Sequence, residues 1–337
     1  MSVQRIDHVE FYVGDAERAA ADLADGFGFT AGPVEDTDGT AGTRSVPAVQ
    51  GGIRLRLTSS TDPAHRAADY VARHGDGVAV VALACPDAAA TLDRALAHGA
   101  RLLDAGTRTV AGFDDVALRF VQDGDPAAEA AFPAPAGAGL LDAIDHLAIC
   151  VPSGTMADAV RFCEDGLGFR PIFSEYIEVG AQGMDSVVVQ NPSGTVTFTL
   201  LEPDPRRPPG QIDDFLKAHQ GVGVQHVAFR TDDIARTVRT CSERGVGFLT
   251  TPGTYYDALA ERLAANSGIP VAALRELHVL VDQDHGGHLL QIFTRSVHSR
   301  HTFFFELIER RGAATFGTAN IKALYEAVER QQAVATT

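Results

Sequence analysis

Three polar side chains interrupt otherwise apolar runs of this sequence: His146 in Ile144–Cys150 (IDHLAIC), His226 in Gly223–Phe229 (GVQHVAF), and Glu306 in Phe303–Arg310 (FFFELIER). Each run is short, apolar and strand-like. A charge on such a strand is costly to bury unless a metal or an opposite charge meets it. Two neutral imidazoles and a carboxylate gathered on one face are the donor set of a labile ferrous site, with positions left open for an organic chelate and O2. Imidazole offers borderline nitrogen donors, and the carboxylate lowers the charge of the site. The residues alone leave a second reading open. Each histidine could be hydrogen-bonded in the core or at the surface, and Glu306 could face solvent at a sheet edge.

Residues so far apart along the chain need a sheet to bring them together, and the sequence repeats the unit that would build one. IDHVEFYV from Ile6 leads through an Ala-rich stretch to GFGF at Gly26–Phe29. IDHLAICV from Ile144 leads through a similar stretch to GLGF at Gly166–Phe169. HGDGVAVVALACPDAAATLDRALAHGARLL from His74 likewise parallels QGVGVQHVAFRTDDIARTVRTCSERGVGFL from Gln220. The segments from Ile6 and Ile144 read strand, Ala-rich helix, glycine turn, and those from His74 and Gln220 read Gly-rich turn, strand, aspartate-led amphipathic helix, then Gly and another strand. Four such units in two pairs predict an α+β protein. The Ala/Pro/Gly segment Gly124–Gly139 separates the pairs, placing a boundary near residue 138 between an N-terminal domain, 1–138, and a C-terminal domain, 139–337. His8 occupies the position of His146 in the first unit, but Val80 stands where the fourth unit has His226. One metal site in the C-terminal half is therefore expected, with His8 structural.

Composition sets wider limits. The chain has 337 residues and a formal charge of −16, with no basic cluster, which argues against nucleic acid or an anionic membrane as partner. No apolar run reaches the length of a membrane span, and MSVQRIDHVE lacks the apolar core of a signal peptide. Cys85, Cys150, Cys163 and Cys241 are scattered without a CxxC pair, so neither a disulfide framework nor a thiolate metal site is expected. A cytoplasmic location follows as the expectation.

The paired units resemble the vicinal oxygen chelate superfamily. More specifically, Ile144 to about Gln331 resembles the 4-hydroxyphenylpyruvate dioxygenase family. The likeness runs through GVQHVAF, QIDDFL at Gln211–Leu216, TPGTYYDAL at Thr251–Leu259, LLQIFT at Leu289–Thr294, FFELIERRG at Phe304–Gly312 and FGTANIKALYEAVE at Phe316–Glu329. The resemblance implies paired βαβββ modules that form two open barrel-like domains. It makes His146, His226 and Glu306 the ligands of Fe(II), and implies 4-hydroxyphenylpyruvate and O2 as substrates. Ser186, Gln211, Gln291 and Phe304 match catalytic positions. Thr199, Leu201, Gln225, Phe293, Phe316, Asn320 and Ile321 match the substrate pocket, and the segment after Phe316 matches a closing helix. Ile321, Leu324, Tyr325 and Val328 follow helical spacing there. Gln225 adjoins His226 and points to the opposite sheet face if its strand is regular.

Members of that family send the second oxygen atom either to the aromatic ring, giving homogentisate, or to the benzylic carbon, giving 4-hydroxymandelate. Here Thr199 stands where the homogentisate-forming pattern has Pro, Leu201 where it has Asn, and Ile321 where it has Phe. An aliphatic residue at 201 with Ile at 321 resembles the mandelate-forming branch, which supplies a precursor of 4-hydroxyphenylglycine for peptide antibiotics. Other metal enzymes on the same scaffold would not share the ordered C-terminal motifs, and a drug-sequestering protein would not need the triad. The sequence leaves a homo-oligomer open.

Overall fold

The computed structural model describes residues 3–36, 42–135, 137, 139–263, 269–298 and 300–316. Asn320, Ile321 and the closing helix expected around them lie outside the described residues.

Among the described residues the first half contains β1 (Arg5–Tyr12), β2 (Thr30–Ala31), β3 (Glu35–Asp36), β4 (Thr43–Gln50), β5 (Ile53–Ser60), β6 (Gly77–Cys85), β7 (Arg101–Asp104), β8 (Thr109–Phe113) and β9 (Val116–Gln122). They form one sheet in the order β2-β4-β5-β1-β6-β9-β8-β7, with β3 also paired to β4. The second half contains β10 (Ala143–Cys150), β11 (Arg170–Val179), β12 (Gln182–Gln190), β13 (Thr197–Pro203), β14 (Gly223–Arg230), β15 (Leu280–Gln283), β16 (His288–Phe293) and β17 (Phe304–Arg311). Its order is β11-β12-β13-β10-β14-β17-β16-β15. The two orders correspond strand for strand, so β1, β6 and β9 are the counterparts of β10, β14 and β17. The helices are α1 (Ala16–Phe27), α2 (Arg66–His74), α3 (Ala88–Ala97), α4 (Pro126–Ala130), α5 (Met156–Arg161), α6 (Gln211–His219), α7 (Ile234–Glu243), α8 (Gly253–Arg262) and α9 (Val271–Glu276). The expected βαβββ modules are present in two pairs, and the chain is of the α+β class.

The local chemistry behind each module is direct. Asp15, Asp87 and Asp233 precede α1, α3 and α7, and their carboxylates accept from the N–H groups of Arg18, Ala90 and Arg236 at 3.0, 2.9 and 2.9 Å. Those bonds satisfy donors that a helix start leaves unpaired. Gly28 ends α1 at φ 82°, and Gly168 ends the π-helical turn Phe162–Leu167 that follows α5 at φ 77°. Both need the left-handed region that glycine enters freely, which explains the repeated GFGF and GLGF.

Alternation along β17 sorts its side chains between two environments. Phe303 and Phe305 join an aromatic cluster between the halves, with ring centroids 5.2 Å from Phe11 and 5.4 Å from Phe27 respectively. Phe304 and Glu306 lie on the other face, with His226 and His146. All four cysteines are free and buried, and no described helix is long and apolar enough to cross a membrane.

Candidate metal centre

The triad is assembled by strand register. Antiparallel pairing sets His146 of β10 opposite Ala228 of β14, and parallel pairing sets Ala228 opposite Glu306 of β17. His146, Ala228 and Glu306 thus form one row across three adjacent strands. Ala228 is small and leaves the middle of the row open. His226, two residues earlier on the same face, reaches into that space. His146 Nε2 lies 3.3 Å from His226 Nε2 and 3.3 Å from Glu306 Oε2, and His226 Nε2 lies 3.4 Å from the same oxygen. The three residues are 2, 6 and 1% exposed, so water does not screen the cluster.

Two β-bulges orient the imidazoles. The β10–β14 register slips between Ile144 and His146, leaving Asp145 as the extra residue, and again opposite Ala148 and Ile149, leaving Gln225 as the extra residue. A bulge breaks alternation and brings neighbouring side chains to one side. The Nδ1–H of His146 donates to Asp145 Oδ1 at 3.0 Å, and that of His226 donates to Gln225 Oε1 at 3.3 Å. The expectation that Gln225 points to the opposite face is therefore corrected: its strand is not regular at that point. Asp145 is held by Arg310, whose Nε and Nη2 donate to its two oxygens at 2.7 and 2.8 Å. Asp145 and Arg310 were not apparent as site residues from the sequence. The signal was the Asp-His doublet of both IDH repeats.

With both Nδ1 atoms donating outward, both Nε2 atoms turn lone pairs toward each other and toward a carboxylate. Three electron-rich atoms at such distances repel unless a cation sits among them. In the metal-free protein a proton serves. Burial alone would depress His146, but the Glu306 charge and the Asp145 hydrogen bond raise it to about 9. Burial likewise opposes the ionised form of Glu306, yet the two histidines hold it down at about 2. His226 is lowered, chiefly by burial and despite Glu306. A divalent ion replacing the shared proton would meet a preorganised, deprotonated donor set. These residues fit a metal, and among the described residues no other group of three His, Cys, Asp or Glu side chains converges in this way.

The surrounding residues fall into two groups. Gln291 donates through Nε2 to Glu306 Oε1 at 2.6 Å, so it holds the carboxylate. Phe304 stacks on His226 with centroids 4.9 Å apart, Phe293 lies 6.3 Å from the same ring, and Phe316 meets His146 edge-on at 4.6 Å. These lie in direct contact with the triad. Ser186, Thr199 and Leu201 line the neighbouring strands, where Ser186 pairs with Leu201 and Leu201 in turn with Cys150 of β10. The hydroxyls of Ser186 and Thr199 are buried without a hydrogen-bond partner. Gln211 begins α6, whose Ile212 and Phe215 pack against Leu201 and Cys150, and it is itself buried.

Comparison with known proteins gives the family. The sequence pattern of the Glyoxalase/Bleomycin resistance protein/Dioxygenase superfamily matches residues 5–125 and 143–292. The chain belongs to this superfamily. Within it, the chain is 31% identical to a 4-hydroxyphenylpyruvate dioxygenase of Yarrowia lipolytica, across 98% of this chain and 93% of that one. It is 32% identical to the enzyme of the same name from Dictyostelium discoideum, across 98% of each. A solved structure of a triple mutant of 4-hydroxymandelate synthase from Streptomyces coelicolor superposes with a TM-score of 0.89 and 42% identity, covering 98% of this chain and 100% of that one. The chain is thus an enzyme of the superfamily's dioxygenase branch.

Proposed function

We propose that this enzyme converts 4-hydroxyphenylpyruvate and O2 into 4-hydroxymandelate and CO2, at an iron(II) ion held by His146, His226 and Glu306. The observation that carries the metal part of this reading is the pair of inward-facing Nε2 atoms, 3.3 Å apart beside a buried carboxylate. Bound there, iron(II) would offer open positions for chelation by the α-keto acid and for O2, and the substrate's own keto acid would supply the electrons that a separate 2-oxoglutarate would otherwise bring.

The chain's own residues bind, orient and exclude. Gln291, Asp145 and Gln225 hold the three donors in fixed directions, so no reorganisation is needed when substrate arrives. Phe293, Phe304 and Phe316 wall the site with apolar surface and keep bulk water from the reacting carbons. The unpartnered hydroxyls of Ser186 and Thr199 suit the polar groups of a bound phenol, since each is costly to bury alone. Gln211, with Asn320 and Ile321, completes the pocket in this reading. Residues 139–337 form the catalytic domain and 1–138 a metal-free one. A reducing, cytoplasmic setting suits four unpaired cysteines.

The choice of product rests on Leu201. It is buried, 3% exposed, and pairs with Ser186 across β12 and β13, so the pocket presents one hydroxyl there and no amide. Losing a polar partner shifts the ring relative to the metal, and about 1.4 kcal/mol between two barriers changes a product ratio about tenfold. The 42% identity to a 4-hydroxymandelate synthase supports the same choice. The alternative product, homogentisate, is supported by the names of the 31–32% identical relatives. The two products are isomers, so gas uptake does not separate them. Chromatography of the aromatic product from iron-loaded enzyme does. 4-Hydroxymandelate as the main peak is expected, and homogentisate as the main peak would overturn the assignment.

A further inference from the structure

The N-terminal sheet repeats the architecture of the metal centre with different chemistry. The β1–β6 register slips at Asp7, and the His8 Nδ1–H donates to Asp7 Oδ2 at 2.8 Å, as His146 does to Asp145. Pairing of β6 with β9 sets Ala82 opposite Arg119, the register of Ala228 and Glu306 in the other half. A guanidinium therefore stands where the C-terminal half has its carboxylate, and Val80 where it has its second histidine. The metal set is gone, but the space is not filled. A cavity of about 340 Å³ remains, lined among others by His8, Glu10, Thr58, Arg119, Ala131 and Phe132.

That cavity has a closing aromatic of its own. Phe132, in the segment after α4, lies 5.3 Å from the His8 ring, with the guanidinium of Arg56 5.3 Å from its own centroid. Phe316 after β17 meets His146 and Arg310 in the same way. Inside, Arg119 is 3.2 Å from Glu10 Oε2, and Thr58 donates to Glu10 Oε1 at 2.8 Å. His8 is 7% exposed, and its Nε2 is buried with no hydrogen-bond partner. Burial and the Arg119 charge, opposed by the Asp7 hydrogen bond, keep its basicity low. With Nδ1 donating to Asp7, Nε2 is an acceptor awaiting a donor.

We infer that this cavity is a second, non-catalytic binding site for a small hydroxylated aromatic acid, whose hydroxyl donates to His8 Nε2, whose carboxylate meets Arg119, and whose ring packs against Phe132. An imidazole acceptor beside a guanidinium matches a hydroxyl beside a carboxylate, and the aromatic wall matches a ring. The volume suits a molecule of one ring.

The probe is 4-hydroxymandelate, titrated calorimetrically under argon into the iron-loaded enzyme. Wild type is expected to bind a second equivalent beyond the catalytic site. His8→Ala should weaken that equivalent about tenfold by removing its acceptor. Ala131→Trp, which fills the cavity without touching the triad, should abolish it, and both variants should keep wild-type kcat. Wild type binding one equivalent, or a second equivalent unchanged in Ala131→Trp, would overturn the site. Should His8→Ala fail to fold, Ala131→Trp decides. An enzyme that binds the second equivalent but leaves 4-hydroxyphenylpyruvate unconverted would instead remove the proposed reaction and leave this site standing.

Discussion

At the scale of single residues, the centre works because each donor has one remaining direction. Gln291 shows the cost of removing a support. Gln291→Leu would leave Glu306 Oε1 buried without its 2.6 Å donor. We expect a loss of about 1–3 kcal/mol of stability by urea denaturation and a metal affinity lower by about 10–100-fold. Unchanged affinity would show that the glutamine is not holding the carboxylate. Protons and metal compete for the same space. His146 binds its proton up to about pH 9 in the metal-free protein, so below that pH the metal must displace it. Apparent metal affinity should therefore rise about tenfold per pH unit and level off above about 9. The sign is opposite for metal-free stability. Relative to the ordinary histidine value of about 6.5, the raised value means the proton's contribution is complete below 6.5 and is lost as pH climbs through about 9. Thermal melts of metal-free enzyme across that window measure it. The three donors were legible from sequence because each interrupts an apolar strand within a recognisable motif. Asp145 and Arg310 were not, since an acidic neighbour and a strand-end arginine look like ordinary surface charges until their 2.7 and 2.8 Å contacts are seen.

At the scale of elements, helices were legible and bulges were not. Aspartate caps and glycine stops sit at fixed offsets, so the repeats announced α1, α3 and α7 directly. Asp233→Ala should cost about 1 kcal/mol by uncapping α7 while leaving turnover unchanged, because α7 carries none of the three donors. A bulge depends on how two strands pair, which residue types on one strand do not encode. For that reason strict alternation sent Gln225 to the wrong face. The row His146–Ala228–Glu306 gives a sharper test of strand register. Ala228→Leu places a branched side chain in the gap between the donors. Metal binding should vanish while circular dichroism stays close to wild type. A variant that still binds metal would mean that the gap is not where the cation goes.

At the scale of the whole molecule, two sheets of one design hold unlike chemistry. Duplication was visible in the IDH and GFGF repeats, and the loss of the N-terminal metal set in Val80. What replaced that set was not visible, because Arg119 corresponds to Glu306 only through pairing with β6. The product of the reaction also belongs to this scale, since it depends on the shape of the pocket rather than on any one donor. Leu201→Asn combined with Ile321→Phe should raise the homogentisate fraction about tenfold or more. An unchanged product spectrum would remove the basis for preferring 4-hydroxymandelate. All of this presupposes a single cation at the centre of the row. The most direct measurement is an anomalous difference map from crystals of the anaerobically iron-loaded enzyme, recorded at the iron edge. One peak within bonding reach of His146 Nε2, His226 Nε2 and a Glu306 oxygen is the expected result. Iron found elsewhere, or bound without one of those three side chains, would contradict it.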